Sequence, residues 1–293
     1  MLHAQVEVAG PWSLATSKRF WEGFTPAALT GTADARRLHT VFRVDHDWSR
    51  AEVDVTQDGT TAHLHLRGDG DLDAAAVQVA RFLSLDVDGR GWADVAGRDP
   101  VIADARRRLP GMRPCGFHSP YECAVWAVLS QRVRIVRAAR LRDDLIARHG
   151  DDGAFPSPDR LRSLDLDLPG RKPEYLHAVA DAALDGRLDG AALRELDPVA
   201  AVARVQEVKG LGPFAAELVV LRGANHPDAL PLHERRLDDE VRHRYGQPLA
   251  EVAENWRPFR TWAAVLLRTL REERTHEIGA GRSPARASTT AVR

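Results

Sequence analysis

The spacing of hydrophobic and polar positions changes once along the chain, near Asp99. Before that point the period is short. His39 to Val44 is a β-prone run, Ala51 to Thr56 alternates Val53 and Val55 with acidic neighbours, and Thr61 to Leu66 alternates Leu64 and Leu66 with polar ones. Successive side chains of a strand point to opposite faces, so such alternation places one apolar face on a core. Gln57-Asp58-Gly59-Thr60 separates the last two runs, and Asp-Gly in that setting is a hairpin signal. Leu72 to Leu85 then spaces Val77, Val79, Phe82 and Leu83 as a helix does. The expectation for residues 1–98 is an antiparallel β-sheet with helices.

From Asp99 onward the apolar residues recur every three or four positions. Ser119 to Arg148 carries Val125, Val128, Leu129, Val133, Val136, Leu141 and Leu145 in that rhythm. Ser157-Pro-Asp159 opens another helix with serine in the capping position. Further helices are expected over Lys172–Leu184, Ala191–Leu196, Pro198–Val208, Leu237–Arg244 and Glu251–Arg274. Residues 279–293 (GAGRSPARASTTAVR) are small, polar and basic, and a disordered tail is expected there. The fold class is therefore α+β, a sheet domain over 1–98 followed by an all-α domain over 99–278.

Composition narrows this picture without redirecting it. A chain of 293 residues with 44% hydrophobic and 28% charged residues reads as soluble, with room for two domains. No apolar run approaches the roughly 18 residues of a membrane span, and the N-terminus lacks the basic and apolar regions of a signal peptide. Cys115 and Cys123 are the only cysteines, which points to a reduced pair in the cytoplasm. Net charge of −1 neither requires nor forbids nucleic acid, so any such binding must come from local patches.

One stretch raises a chemical question. Val208-Lys-Gly-Leu-Gly-Pro213 sets two glycines one residue apart in front of a helix. A proline at the first helical position has no N–H to lose, and the remaining N–H groups of the turn favour an anion. A plain connector between two helices accounts for the turn equally well until its surroundings are considered.

Those surroundings resemble the helix-hairpin-helix DNA glycosylases, and within them the 3-methyladenine DNA glycosylase II (AlkA-type) family. Beyond Gly210-Leu211-Gly212, the segments that carry the likeness are Pro110-Gly-Met-Arg-Pro114 ahead of Pro120-Tyr-Glu122, Ala127-Val-Leu-Ser-Gln131, Phe155-Pro-Ser-Pro158 and Trp256-Arg-Pro-Phe-Arg-Thr-Trp262. They run in the family's order from Phe82 to Arg274. The resemblance implies a helix-hairpin-helix domain acting as a monomer on double-stranded DNA, associated with the nucleoid. It implies removal of a damaged, alkylated base after the nucleotide is flipped out of the duplex. No cofactor and no redox metal follow from it; a monovalent cation at the hairpin carbonyls does.

The resemblance also assigns residues. Lys209, Gly210, Leu211 and Gly212 fall on the phosphate-holding turn, with Gln131, Arg132 and Arg134 as further DNA contacts, Arg132 at the position that fills the gap left by the flipped base. Phe214, Leu218 and Arg268 fall on aromatic base-stacking positions, with Trp262 nearby; only Phe214 keeps a ring, and Arg268 would repel a cationic base. The family's catalytic aspartate position holds Glu234, with His233 before it and Asp238 as a fallback acid one helical turn later. Glutamate keeps the charge and adds one methylene. Moving a carboxylate from about 3.5 Å to about 5 Å from the sugar at an effective dielectric near 20 costs roughly 1.4 kcal/mol, about tenfold in rate. Family members that also cleave the strand carry a lysine in the hairpin; Lys209 stands beside the turn, and the expectation is a monofunctional enzyme. The alternative is a lesion-binding protein that kept the hairpin and lost the chemistry.

Overall fold

Alternation becomes sheet where it was expected, and once where it was not. The structure, a computed structural model, describes residues 1–23, 34–45 and 47–276. The chain begins with β1 (Leu2–Glu7), α1 (Leu14–Gly23), β2 (Arg37–Arg43), β3 (Arg50–Asp58), β4 (Thr61–Gly68) and α2 (Leu72–Phe82). The strands form one antiparallel sheet in the order β1-β4-β3-β2. Val53 faces Leu66 and Val55 faces Leu64 in register, all four fully buried under Val79 and Phe82 of α2. The hairpin turns at Gly59, which takes the left-handed φ of +56°. Strand β1 alternates Leu2, Ala4 and Val6 with polar residues and pairs along β4, a short period-two signal that sequence inspection passed over.

Past the sheet come α3 (Trp92–Arg98), α4 (Pro100–Arg108), α5 (Pro120–Leu129), α6 (Ile135–His149), α7 (Pro158–Ser163), α8 (Lys172–Leu184), α9 (Gly190–Glu195), α10 (Pro198–Gln206), α11 (Pro213–Leu218), α12 (Arg235–Tyr245), α13 (Leu249–Val252) and α14 (Arg260–Thr275). Ser119 caps α5 by accepting from the Glu122 N–H at 3.1 Å, and Ser157 caps α7 as its place in the sequence implied. The long apolar pattern of Ser119–Arg148 is two helices. Every residue of α5 is buried, so it shows no amphipathic face, whereas α6 is amphipathic. The break between them holds Arg132 at a φ of +56°.

Helices α5, α8, α10 and α11 share one core. A second joins Trp92 and Val95 of α3, ahead of residue 98, to Trp256, Trp262 and Leu267 near the C-terminal end of the described chain. The sheet is tied to the helices by polar contacts in buried surroundings. Thr40 Oγ1 of β2 and His118 Nε2 lie 2.8 Å apart, and His118 Nδ1 lies 3.1 Å from Glu122 Oε2 of α5. Arg113 is fully buried and donates to the carbonyls of Ser84, Val87, Pro11 and Ala9. Among the described residues no helix is long and apolar enough to cross a membrane. The tail expected over 279–293 lies outside the described residues.

Candidate active site

The Gly-Leu-Gly turn links α10 to α11, and its two glycines are there for different reasons. Gly210 has a φ of +95°, and a Cβ on it would stand 2.4 Å from Cγ of Tyr175. Gly212 is extended at φ −77° and ψ −179°, with no atom within 4 Å of an added Cβ. Open space at that point leaves room for another molecule to reach the backbone. Pro213 opens α11, and the N–H groups of Gly212, Phe214 and Ala215 precede its first intrahelical bond, from Ala216 N–H to Gly212 O at 2.9 Å. Leu211 turns its side chain into the core, so only its backbone faces the turn. Lys209 is ion-paired with Glu174, whose carboxyl is held down at about 2 by Arg171 and Lys209 together. Backbone carbonyls are the donors a monovalent cation takes. That of Gly210 already accepts the Gln131 amide, so an ion at this turn would share it or use its neighbours.

Gln131 ties the hairpin to the loop after α5. Its Nε2 donates to Gly210 O at 2.8 Å, so it braces the turn from behind. The next residue is Arg132, exposed and left-handed, a conformation that costs a non-glycine residue about 1–3 kcal/mol and persists only where its surroundings impose it. Lys172 holds the backbone that leads into it. Its buried ammonium donates to the carbonyls of Val128 at 2.7 Å, Leu129 at 3.1 Å and Gln131 at 2.8 Å, closing the C-terminal end of α5. Arg134 stands exposed at the start of α6.

Beside the hairpin a cavity of about 420 Å³ opens, within the range of small-ligand sites. Phe214 and Leu218 of α11, Glu234 and Arg268 all line it, although they lie as far as 54 residues apart in the chain. Glu234 is the N-cap of α12: its Oε1 accepts from Arg236 N–H at 3.2 Å and lies 3.8 Å from Arg268 Nε. The wall holds four residues that sequence reasoning missed. Glu217, 6% exposed, accepts both the backbone N–H of His233 at 2.9 Å and a contact from its Nδ1 at 2.7 Å, fixing the residue before Glu234. Arg222 sits on a π-helical extension of α11 over Val219–Gly223, donates to Cys115 O at 2.6 Å and lies over the Phe20 ring. Burial pulls its pKa down to about 10, which leaves it charged at neutral pH. Phe20 and Arg19 of α1 close a further side.

No protein-family model matches the chain. A DNA-3-methyladenine glycosylase of Bacillus subtilis (strain 168) is 23% identical over 210 residues, 64% of this chain and 69% of the relative. The probable bifunctional transcriptional activator/DNA repair enzyme AlkA of Mycobacterium tuberculosis (strain ATCC 25618 / H37Rv) is 29% identical over 244 residues, covering 77% of this chain and 49% of that protein. This chain thus aligns with about half the length of that relative. The solved 3-methyladenine DNA-glycosylase from Archaeoglobus fulgidus superposes with a TM-score of 0.71 at 18% identity, over 94% of this chain and 99% of its own. The chain is similar to AlkA-type proteins in sequence and to a 3-methyladenine DNA-glycosylase in fold.

Two expectations need correction. Trp262 is not part of the cavity: it is 2% exposed, packed against Trp92 and Phe259 and beneath the Arg113 guanidinium. Asp238 is no fallback acid, because it accepts from Leu249 N–H at 2.9 Å and Arg242 at 2.8 Å and does not line the cavity. Glu217 carried no signal of its own, since a glutamate in a short apolar helix reads as an exposed residue until the fold turns it inward.

Proposed function

We propose that this protein is a monofunctional DNA glycosylase that hydrolyses the N-glycosidic bond of a damaged base flipped out of double-stranded DNA. One observation carries the reading. Glu234 is held as a helix N-cap in the wall of a base-sized cavity that begins at the hairpin helix itself. A nucleotide whose phosphate rests on the open N–H groups of Gly212, Phe214 and Ala215 brings its base to Phe214 and Leu218, and its sugar towards Glu234. As the bond breaks, its electron pair leaves with the base and positive charge grows on the sugar, where a carboxylate stabilises it. Water then adds to C1′ and its proton is lost to solvent. Lys209 is engaged by Glu174, which argues against a lysine nucleophile and for hydrolysis. The names of the relatives favour alkylated bases. We read the chain as an N-terminal sheet unit over 1–98 and a helical helix-hairpin-helix unit over 99–278, acting as a monomer at the nucleoid.

The test is base release from lesion-bearing duplexes under single-turnover conditions. Glu234→Gln keeps shape and removes charge, so excision should fall by two orders of magnitude or more while lesion binding persists. If the Gln variant releases base as fast as wild type, the assignment of Glu234 is lost. If wild type releases nothing and Glu234→Asp does, the protein is a lesion binder descended from an enzyme.

A further inference from the structure

The hairpin helix carries more than a phosphate anchor, given the glycosylase reading above. Helix α11 starts at the open N–H groups of Gly212, Phe214 and Ala215, and within its short length it also carries Glu217 into the cavity wall. That side chain is 6% exposed, and its two oxygens take different atoms of one residue. Oε2 accepts the backbone N–H of His233 at 2.9 Å, and Oε1 lies 2.7 Å from the ring Nδ1. Side-chain packing does little for that loop, since Leu232 is 57% exposed and the His233 side chain 55%. Its internal bonds, Leu232 N–H to Leu230 O at 3.1 Å and Glu234 N–H to Pro231 O at 3.3 Å, close short turns and do not reach α11. The Arg236 N–H at 3.2 Å and Arg268 Nε at 3.8 Å orient the Glu234 carboxylate itself, whereas Glu217 holds the backbone from which that side chain starts. Glutamate needs this support more than aspartate would, because its extra methylene adds a rotatable bond ahead of the carboxylate. A charge stabilises a developing cation best when it is fixed beforehand. We infer that Glu217 is a positioning residue: through His233 it sets the distance between the phosphate held on α11 and the carboxylate of Glu234.

The experiment uses the full chain and two duplexes of one sequence, with a pyrrolidine (cationic) or a tetrahydrofuran (neutral) in place of the target sugar. The ratio of their dissociation constants, measured by fluorescence anisotropy, reports a carboxylate held against the ring. Wild type should prefer the pyrrolidine by about tenfold or more, and Glu234→Gln should abolish that preference. Glu217→Met keeps the length and removes both acceptors. It should cut the preference by about tenfold and slow single-turnover base release by a similar factor or more, while the neutral duplex binds within about twofold of wild type. Glu217→Gln keeps an oxygen for the N–H and an amide for the ring, so it should stay within about threefold of wild type. A Gln variant as impaired as the Met variant would show that Glu217 acts by its own charge. An unchanged preference in Glu217→Met would show that it does not hold the loop. Either result overturns the inference and leaves the glycosylase reading intact. Where melting shows Glu217→Met to be unfolded, the exposed His233→Ala decides: loss of the ring contact should cost about threefold in preference, and no loss overturns the inference. If wild type shows no preference for the pyrrolidine, or Glu234→Gln keeps it, the assignment of Glu234 fails and the inference falls with it.

Discussion

Gly210 and Gly212 stand two residues apart and should fail in opposite ways. Gly210→Ala forces a left-handed alanine against the Tyr175 ring, so the protein should lose roughly 1–3 kcal/mol in denaturant unfolding. Gly212→Val meets no protein atom, so its melting temperature should hold while duplex affinity falls, measured by fluorescence anisotropy. Unchanged affinity in a folded Gly212→Val would remove the turn as a DNA anchor. Burial raises the Cys115 thiol to about 12 and Cys123 well above the ordinary thiol value, so both stay protonated at pH 8. An aromatic disulfide reagent should therefore label neither cysteine until the protein unfolds. Single residues were legible where the resemblance assigned them by position: Phe214, Leu218, Glu234 and Arg268 all reach one cavity. Trp262 misled because it lies six positions before Arg268, about 120° away around the same helix, and apolar character does not reveal which side faces a cavity.

At the scale of elements, the join between α5 and α6 couples the hairpin to Arg132. Lys172 grips three carbonyls there, and Lys172→Met leaves them without that donor. Stability should drop by about 1–3 kcal/mol, and preference for lesion over undamaged duplex should weaken as Arg132 loses its enforced turn. An unaltered preference would show that Arg132 acts without this support. Arg134, Arg137 and Arg140 are exposed at the start and along the outer side of α6. Replacing one that meets phosphate by Ala should lower the salt slope of log K by about one. Sequence rhythm found most of these helices. It merged α5 with α6 because a helix buried on every side has no polar face to mark where it ends. It gave no hint of the π-helical turn that carries Arg222, since one extra residue per turn leaves no trace in the spacing of apolar residues.

Across the whole molecule, several of the polar contacts that join the sheet to the helices are buried. Thr40→Val removes the hydroxyl facing His118 Nε2 and should cost about 1–3 kcal/mol in chemical denaturation, a large share for one atom. A loss within a few tenths would mean that His118 finds another partner. Three of the four strands were visible in the sequence because one face of each is buried; how the sheet docks was not, because it depends on residues such as Arg113 whose carbonyl partners lie 26 to 104 positions away.

Helix α1, which precedes most of the sheet, supplies Phe20 and Arg19 to a cavity whose other walls include the hairpin helix, the start of α12 and α14. The turn proposed to grip the DNA backbone and this side of the cavity wall are thus written in separate stretches of one gene. Changes in α1 can reshape what the cavity admits while the Gly-Leu-Gly turn and Glu234 stay as they are. In descent, that arrangement lets the lesion range drift without putting DNA binding at risk.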